Sequence, residues 1–391
     1  MNPASRIIAG VAAAWLCTLG ITCPGLGASG EVAAAQGGGA DTPIMSEQFF
    51  KNVQVLKGIP VDEFMDTMGM FAAATGLNCT DCHIEESGGD WARYADESPL
   101  KRTARGMIGL VNNINRTNFG GRPVLTCYSC HNGSRRPRVV PSLAVQYAVE
   151  PIVDDPYEIL QQAPGAPSAE TVLDKYIQAV GGAARLAAVT SMVAKGSYRA
   201  FDDSEMYPLE IFARAPNQRT TILHSQFGDQ TTTYDGRVAW LAAPAESKPT
   251  PVMALTGGNL EGAAVDAALL FPGRIKEMLN GWVVGLVTIA GDRDLRIVQG
   301  KKGSGLPIKL YFDEETGLLT RLVRYTNSPV GRVPTQIDYA DYRDVSGVKI
   351  PFKWTATWTD GRTVFELNSV QTNVSIDAAR FAKPAPPAPA R

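Results

Sequence analysis

Histidine and cysteine are scarce in this chain: three of one and six of the other among 391 residues. Two of the cysteines, Cys17 and Cys23, fall in an N-terminal stretch built like an export signal. It has Arg6, an apolar run over 7–21 and small residues through Ala35. Cleavage after Ala28 or after Ala35 leaves four cysteines, which excludes a disulfide-stapled fold. Charge of one sign is also lacking. Lysine and arginine number 37 against 39 aspartates and glutamates, so no basic surplus points to nucleic acid. A long apolar run is missing too. The 7–21 run is short and carries Gly10 and Gly20, which leaves no clear membrane span while keeping membrane association open. What remains is ordinary globular material, 45% apolar and long enough for two or three domains.

The four remaining cysteines stand in two copies of one motif, Cys79-Thr80-Asp81-Cys82-His83 and Cys127-Tyr128-Ser129-Cys130-His131. C-x-x-C-H is the attachment signature of c-type haem. Two thiols held two residues apart can each form a thioether to one porphyrin edge. The His that follows is carried beneath the iron as its proximal ligand. A thioredoxin-like redox pair or half a zinc site accounts for the cysteines, but not for a His at the same place twice. The expected cofactor is two covalently attached haem c groups, held by Cys79, Cys82, Cys127 and Cys130, with His83 and His131 on iron. No thiol is left over as a nucleophile. Haem c is attached outside the inner membrane, which agrees with export, and a periplasmic location is expected.

The sixth ligand is the open question. His224 lies far along the chain in a strand-like segment without a partner motif and reads as structural. Histidine on both sides of both irons is impossible within one chain, leaving Met, Lys, water or nothing. Helices are expected over 46–57 (Ser46 as cap, Gly58 as stop), over 60–75 (closed by Gly76) and from Ser98-Pro99 onward. Met68, eleven residues before Cys79, and Met107, twenty before Cys127, lie on the apolar faces of the second and third. Met on such a face is ordinarily core filler, and Met65 and Met70 are read that way.

From about 45 to 140 the chain resembles the cytochrome subunit of photosynthetic reaction centres. The resemblance rests on a Met-bearing helix, the turn Thr75-Gly76-Leu77-Asn78 and then Cys-Thr-x-Cys-His. The Thr103-Ala104-Arg105-Gly106-Met107 run and the Asn118-Phe119-Gly120-Gly121-Arg122 turn are similar to two-haem relatives of that subunit. In that family the helix before each haem motif supplies an axial Met, which implies Met68 and Met107 as ligands. Two motifs instead of four depart from the photosynthetic form, so the resemblance implies an electron carrier more than service to a reaction centre.

Ala163-Pro164-Gly165-Ala166-Pro167 marks a boundary. Beyond Ser168 a helix stopped by Gly181-Gly182 precedes strand-like runs over 191–201, 209–213, 220–224, 230–234, 238–242, 295–299, 308–312, 318–325, 336–342, 348–357 and 363–370. A helical stretch over 260–279, broken at Pro272-Gly273, interrupts them. Asp235-Gly236, Glu315-Thr316-Gly317 and Asp360-Gly361 read as hairpin turns. The 300–305 segment looks phosphate-like but has no helix behind it, and Asp292 and Asp294 read as a turn.

The expected architecture is multidomain. Residues 1–35 are the signal peptide, 36–45 a disordered spacer and 46–140 a small all-α dihaem cytochrome c domain. Residues 141–167 form a linker. An α+β domain over 168–382 follows, dominated by a curved antiparallel β sheet (an incomplete barrel), with a Pro/Ala-rich tail over 383–391. The second half resembles the bacterial lipoprotein-carrier fold, through the opening helix with Gly181-Gly182 and through Asp338-Tyr339-Ala340-Asp341-Tyr342 followed by Val348-Lys349-Ile350-Pro351-Phe352. That resemblance implies a hydrophobic ligand.

The expected function is an exported two-haem c-type cytochrome that passes electrons between periplasmic or membrane-bound redox protein partners, a carrier and not an enzyme. A peroxidase-like dihaem enzyme with one open iron is poorer, because no spare His serves distal acid–base work. An envelope lipid-binding or assembly protein with accessory haems is the other alternative. Asp81, Glu85, Glu86 and Asp90 flank the first motif, and Arg135, Arg136 and Arg138 follow the second. These charges read as solvated surface or as two docking ends of opposite sign.

Overall fold

The computed structural model describes residues 42–83, 91–137, 139–140, 158–201, 203–244, 248–290, 293–303 and 305–387. The expected signal peptide, Glu85, Glu86, Asp90, Arg138, Asp292 and residues 141–157 of the expected linker lie outside the described residues.

Local signals place most helix ends. α1 covers Ser46–Phe49 only, a correction to the helix expected through Lys57. Asn52 takes a left-handed φ of 60°, which a helix cannot pass through. Its side-chain amide donates to the Ala95 carbonyl (2.8 Å) and to Glu97 (2.6 Å). Ser46 is not a cap either; its hydroxyl donates to the Leu56 carbonyl at 2.6 Å and closes a loop. α2, Val61–Thr75, starts after Pro60 and ends on Gly76 at φ 68°, the left-handed stop that glycine adopts without strain. α3 (Cys79–Cys82), a 3₁₀ turn (Trp91–Ala95), α4 (Pro99–Asn118, capped by Ser98) and α5 (Cys127–His131) follow. No helix among the described residues is long and apolar enough to cross a membrane.

The second half begins with α6 (Ala169–Ala179) and α7 (Ala183–Ala187). Six strands come next: β1 Ser191–Ala200, β2 Tyr207–Arg214, β3 Gln218–Leu223, β4 Gln230–Tyr234, β5 Ala239–Ala242 and β6 Val252–Leu255. α8 (Gly257–Ala268) and α9 (Ile275–Met278) interrupt them. Seven more strands complete the sheet: β7 Asn280–Ala290, β8 Arg293–Lys301, β9 Pro307–Asp313, β10 Leu319–Ser328, β11 Gly331–Val345, β12 Val348–Trp358 and β13 Gly361–Thr372. The order is β6-β5-β4-β3-β2-β1-β13-β12-β11-β10-β9-β8-β7. Two antiparallel meanders are thus joined where β1 pairs with β13. β6 and β7 end the sheet without pairing to each other, so it curls but does not close.

One core lies between this sheet and its helices. Leu173, Tyr176 and Ile177 of α6, Val265 of α8 and Ile275 of α9 pack on Ile211, Leu310, Phe312, Leu322 and Leu367. β7, absent from the expected strands, is an outer strand with two register shifts. Residues before α6 cover its edge: Ala163 N–H donates to the Val284 carbonyl, and Val284 N–H to the Gln162 side chain, both at 2.9 Å.

The helices of the first half rest on the same sheet. Leu56, Met70, Ala74, Ile108 and Cys127 form one buried cluster with Val330 and Val333. The close approach needs glycine. A Cβ on Gly69 would lie 2.7 Å from Thr359 Oγ1, and one on Gly331 would lie 3.0 Å from Met70 Cε. Asp62, buried on α2, accepts hydrogen bonds from Thr256 N–H (2.7 Å) and Thr256 Oγ1 (2.9 Å). It therefore caps the N-terminus of α8, whose own cap side chain makes no capping bond.

Candidate functional site

Each C-x-x-C-H motif is a single helical turn with the same local construction. Asn78 Oδ1 accepts from Asp81 N–H (3.0 Å) while Asp81 accepts from Asn78 N–H (2.8 Å). Thr126 and Ser129 make the matching exchange at the second turn, at 3.2 and 3.1 Å. These reciprocal caps let so short a helix form. They also give work to the non-cysteine positions inside each motif, a role legible in the N-x-x-D and T-x-x-S spacings but missed from the sequence.

The histidines agree as well. His83 Nδ1 lies 3.0 Å from the Tyr94 carbonyl, and His131 Nδ1 lies 3.0 Å from the Ser134 carbonyl. A carbonyl only accepts, so Nδ1 carries the proton in both rings and Nε2 keeps its lone pair for a metal. Burial, followed by the charge of Lys101, lowers the pKa of His83, which keeps the ring neutral. Lys101 Nζ donates to the same Tyr94 carbonyl at 2.9 Å, and the Tyr94 ring lies 4.6 Å from that of His83. Ser98, the α4 cap, donates to the Cys82 carbonyl.

The cysteines are free thiols. Burial raises the pKa of Cys82 and of Cys127, the opposite of the depressed thiol that a redox pair uses. At the second turn Cys127 is buried against Met70 and Ala74 of α2. Gly133 N–H donates to the Ala74 carbonyl at 3.0 Å. Asn115, buried on α4, grips the chain just before this motif, donating to the Leu125 carbonyl (2.7 Å) and accepting from Leu125 N–H (2.9 Å). Nothing in the sequence pattern singled it out.

The two candidate axial methionines differ. Met68 is half-buried on α2 and packs on the cluster that holds Cys127. Met107 is exposed on α4 beside exposed Leu110, with Val124 and Tyr128 also exposed near the second motif. A Cβ built on Gly106 or Gly109 would meet no atom within 4 Å. So open an apolar surface beside paired thiols suits a porphyrin face. With Nε2 presented at both histidines, the residues fit haem c. Met70 is core, 6% exposed.

In the second half, His224 Nδ1 lies 2.8 Å from Asp229 Oδ1. Of the phosphate-like 300–305 segment, Gly300 and Lys301 end β8, and Lys302, Gly303 and Gly305 lie in the connection to β9. The sheet also holds a cavity of about 620 Å³, lined by residues of β1–β5, α8 and β10–β13.

Residues 29–156 match the family model of the photosynthetic reaction centre cytochrome C subunit. That segment takes in both motifs, Met68 and Met107, and a cytochrome c match implies covalently attached haem c. The photosynthetic reaction center cytochrome c subunit of Thermochromatium tepidum is 33% identical over 99 residues, 24% of this chain and 23% of that protein. The chain therefore spans less than a quarter of that relative. Among solved structures, a LolA superfamily protein from Nitrosomonas europaea has a TM-score of 0.38 at 14% identity, over 56% of this chain and 99% of its own. A DUF1329 family protein from Desulfovibrio piger has a TM-score of 0.38 at 11% identity, over 56% and 98%.

Proposed function

We propose that the chain is an exported electron carrier with two haem c groups, one at each C-x-x-C-H turn. The observation that carries this reading is the repeated imidazole: His83 and His131 each give Nδ1–H to a backbone carbonyl and keep Nε2 for iron. Cys79 and Cys82 would hold one haem through thioether bonds, and Cys127 and Cys130 the other. Met68 and Met107 would supply thioether sulfur as further ligands to the irons. Bound there, haem supplies a one-electron iron couple. The carbonyls of Tyr94 and Ser134 orient the rings and raise their basicity. Thioether sulfur in place of a second imidazole would raise the reduction potential. No bond-making is asked of the side chains, so the protein is a carrier and not a catalyst. The β half serves as a docking surface for redox partners or holds a ligand in its cavity, and the periplasm is the compartment.

Optical spectra of the holoprotein test this, first ferric and then ferrous with carbon monoxide. A far-red sulfur-to-iron band with no carbon monoxide response is expected. Met68→Leu and Met107→Leu should each open one iron to carbon monoxide. Rapid carbon monoxide binding by the unaltered protein would overturn the closed-carrier reading in favour of an open iron.

A further inference from the structure

The cavity in the sheet is not uniformly apolar. On one side Arg324 of β10 lies against α8, close enough that a Cβ on Gly262 would overlap its guanidinium. Arg324 Nη2 reaches Asp266 Oδ2 at 3.3 Å. Arg324 Nε and Asp266 Oδ1 are buried and make no hydrogen bond among the described residues. Arg219 lines the same cavity and, among the described residues, donates to neutral oxygens, Thr221 Oγ1 at 3.0 Å and the Asp266 carbonyl at 3.3 Å. Two guanidiniums thus lie beside the single carboxylate of Asp266, which Arg324 contacts and Arg219 does not among the described residues, a local excess of positive charge in a partly dehydrated place. Asp66, Asp203 and Lys248 are also on the lining, so its charges balance as a whole and the positive excess is local to Arg219 and Arg324.

The other side is aromatic. Trp354 stacks on Phe365 with centroids 5.0 Å apart, and Tyr198 lies 6.2 Å from Phe365. Phe227 and Trp358 continue this surface into solvent at 45% and 40% exposure. A cavity of this volume is in the range that encloses a small organic molecule. An acyl chain alone would leave the guanidiniums unmatched, and a bare anion would leave the aromatic wall wet.

We propose that this cavity takes an amphiphile with an oxyanion head group, bound head first, with the head on Arg219 and Arg324 and the apolar body along Tyr198, Trp354 and Phe365. The inference rests on the ligand-holding part of the reading above and is independent of its electron-transfer part.

Calorimetric titration of the haem-loaded full chain tests it with four probes: octanoate, octyl phosphate, 1-octanol and inorganic phosphate. At least one of the two charged amphiphiles should bind tenfold or more tighter than octanol, and the preference between them identifies a carboxylate or a phosphate head. Arg219→Gln should lower that affinity tenfold or more while leaving octanol binding, the haem spectrum and the melting temperature unchanged. Arg324→Gln is the less clean variant, since it strands Asp266. Octanol binding as tightly as the anions, or Arg219→Gln without effect, would overturn the head-group assignment alone. Inorganic phosphate binding as tightly as octyl phosphate would remove the amphiphile. Failure of all four probes would take down the ligand site itself and leave the haem reading standing.

Discussion

At the first C-x-x-C-H turn Cys79 stands in solvent and His83 leans on a carbonyl of the 3₁₀ turn, which Lys101 also grips. At the second, Cys127 is 7% exposed in a cluster shared with α2 and with Val330 and Val333 of the sheet. The two turns have the same motif, the same reciprocal cap and the same imidazole tautomer. They differ in what anchors them: polar contacts at the first, and apolar burial added to the polar contacts of Asn115 and Gly133 at the second. Equal chemistry is therefore attached to the fold with unequal stability, and the second site is tied to the β half.

The sharpest way to break this comparison is to replace one cysteine at each turn. Cys79→Ser and Cys127→Ser should both lower haem content, read by haem staining. Only Cys127→Ser should also lower the melting temperature, because it puts a hydroxyl into an apolar cluster at a cost of about 1–3 kcal/mol. Equal melting of the two variants would show that burial does not distinguish the sites. Asp62→Ala should cost a similar amount, about 1–3 kcal/mol, by leaving the partly buried Thr256 N–H without its Asp62 partner. Hydrogen exchange should then speed up in α2 and α5 before α4, since α2 carries the link to the sheet.

A smaller contrast is expected from the polar anchors. Asn115→Ala removes two buried hydrogen bonds at the second site and should cost about 2 kcal/mol. Ser98→Ala removes a cap at the first and should cost about 1 kcal/mol. Chemical denaturation of the two variants measures both; the reverse ranking would contradict the difference drawn here. Smallest is an acid effect at the first site. Arg105 and Asn52 hydrogen-bond to Glu97 and hold its pKa down to about 2 from an ordinary value of 4.5. A depressed carboxylate contributes stability that is present above pH 4.5 and is lost as pH falls toward 2. Melting of Glu97→Gln should therefore trail the unaltered chain above pH 4.5 and converge with it near pH 2. A gap that persists at pH 2 would mean the charge is not its source.

Much of the chain was legible where the signal is local. Pro60 and Gly76 bound α2, Ser98 starts α4, and the β4 strand occupies the span its run of threonines and Tyr234 marks. β6 and β7 were not legible. β6 has four residues, too few to show a period. β7 is nearly continuous in apolar residues and is interrupted by Gly281 and Gly285, so neither helix nor strand periodicity emerges. Gly285 is used for contact with Ile159, whose Cδ1 would be 2.8 Å from an added Cβ. The α1 error has the same kind of origin: Asn52 leaves the helix to reach Ala95 and Glu97, more than 40 positions away.

The sequence by itself determined the two haem-type motifs, the methionine-bearing helices and an antiparallel meander, because each is written within a few residues as a spacing, a cap or a period. Only the tertiary structure decided that β1 pairs with β13, that Asp62 caps a helix 194 positions away, and that Arg219 and Arg324 line one cavity with Tyr198, Trp354 and Phe365. Those contacts join residues that no local pattern relates, and they form when apolar faces of distant segments are buried together.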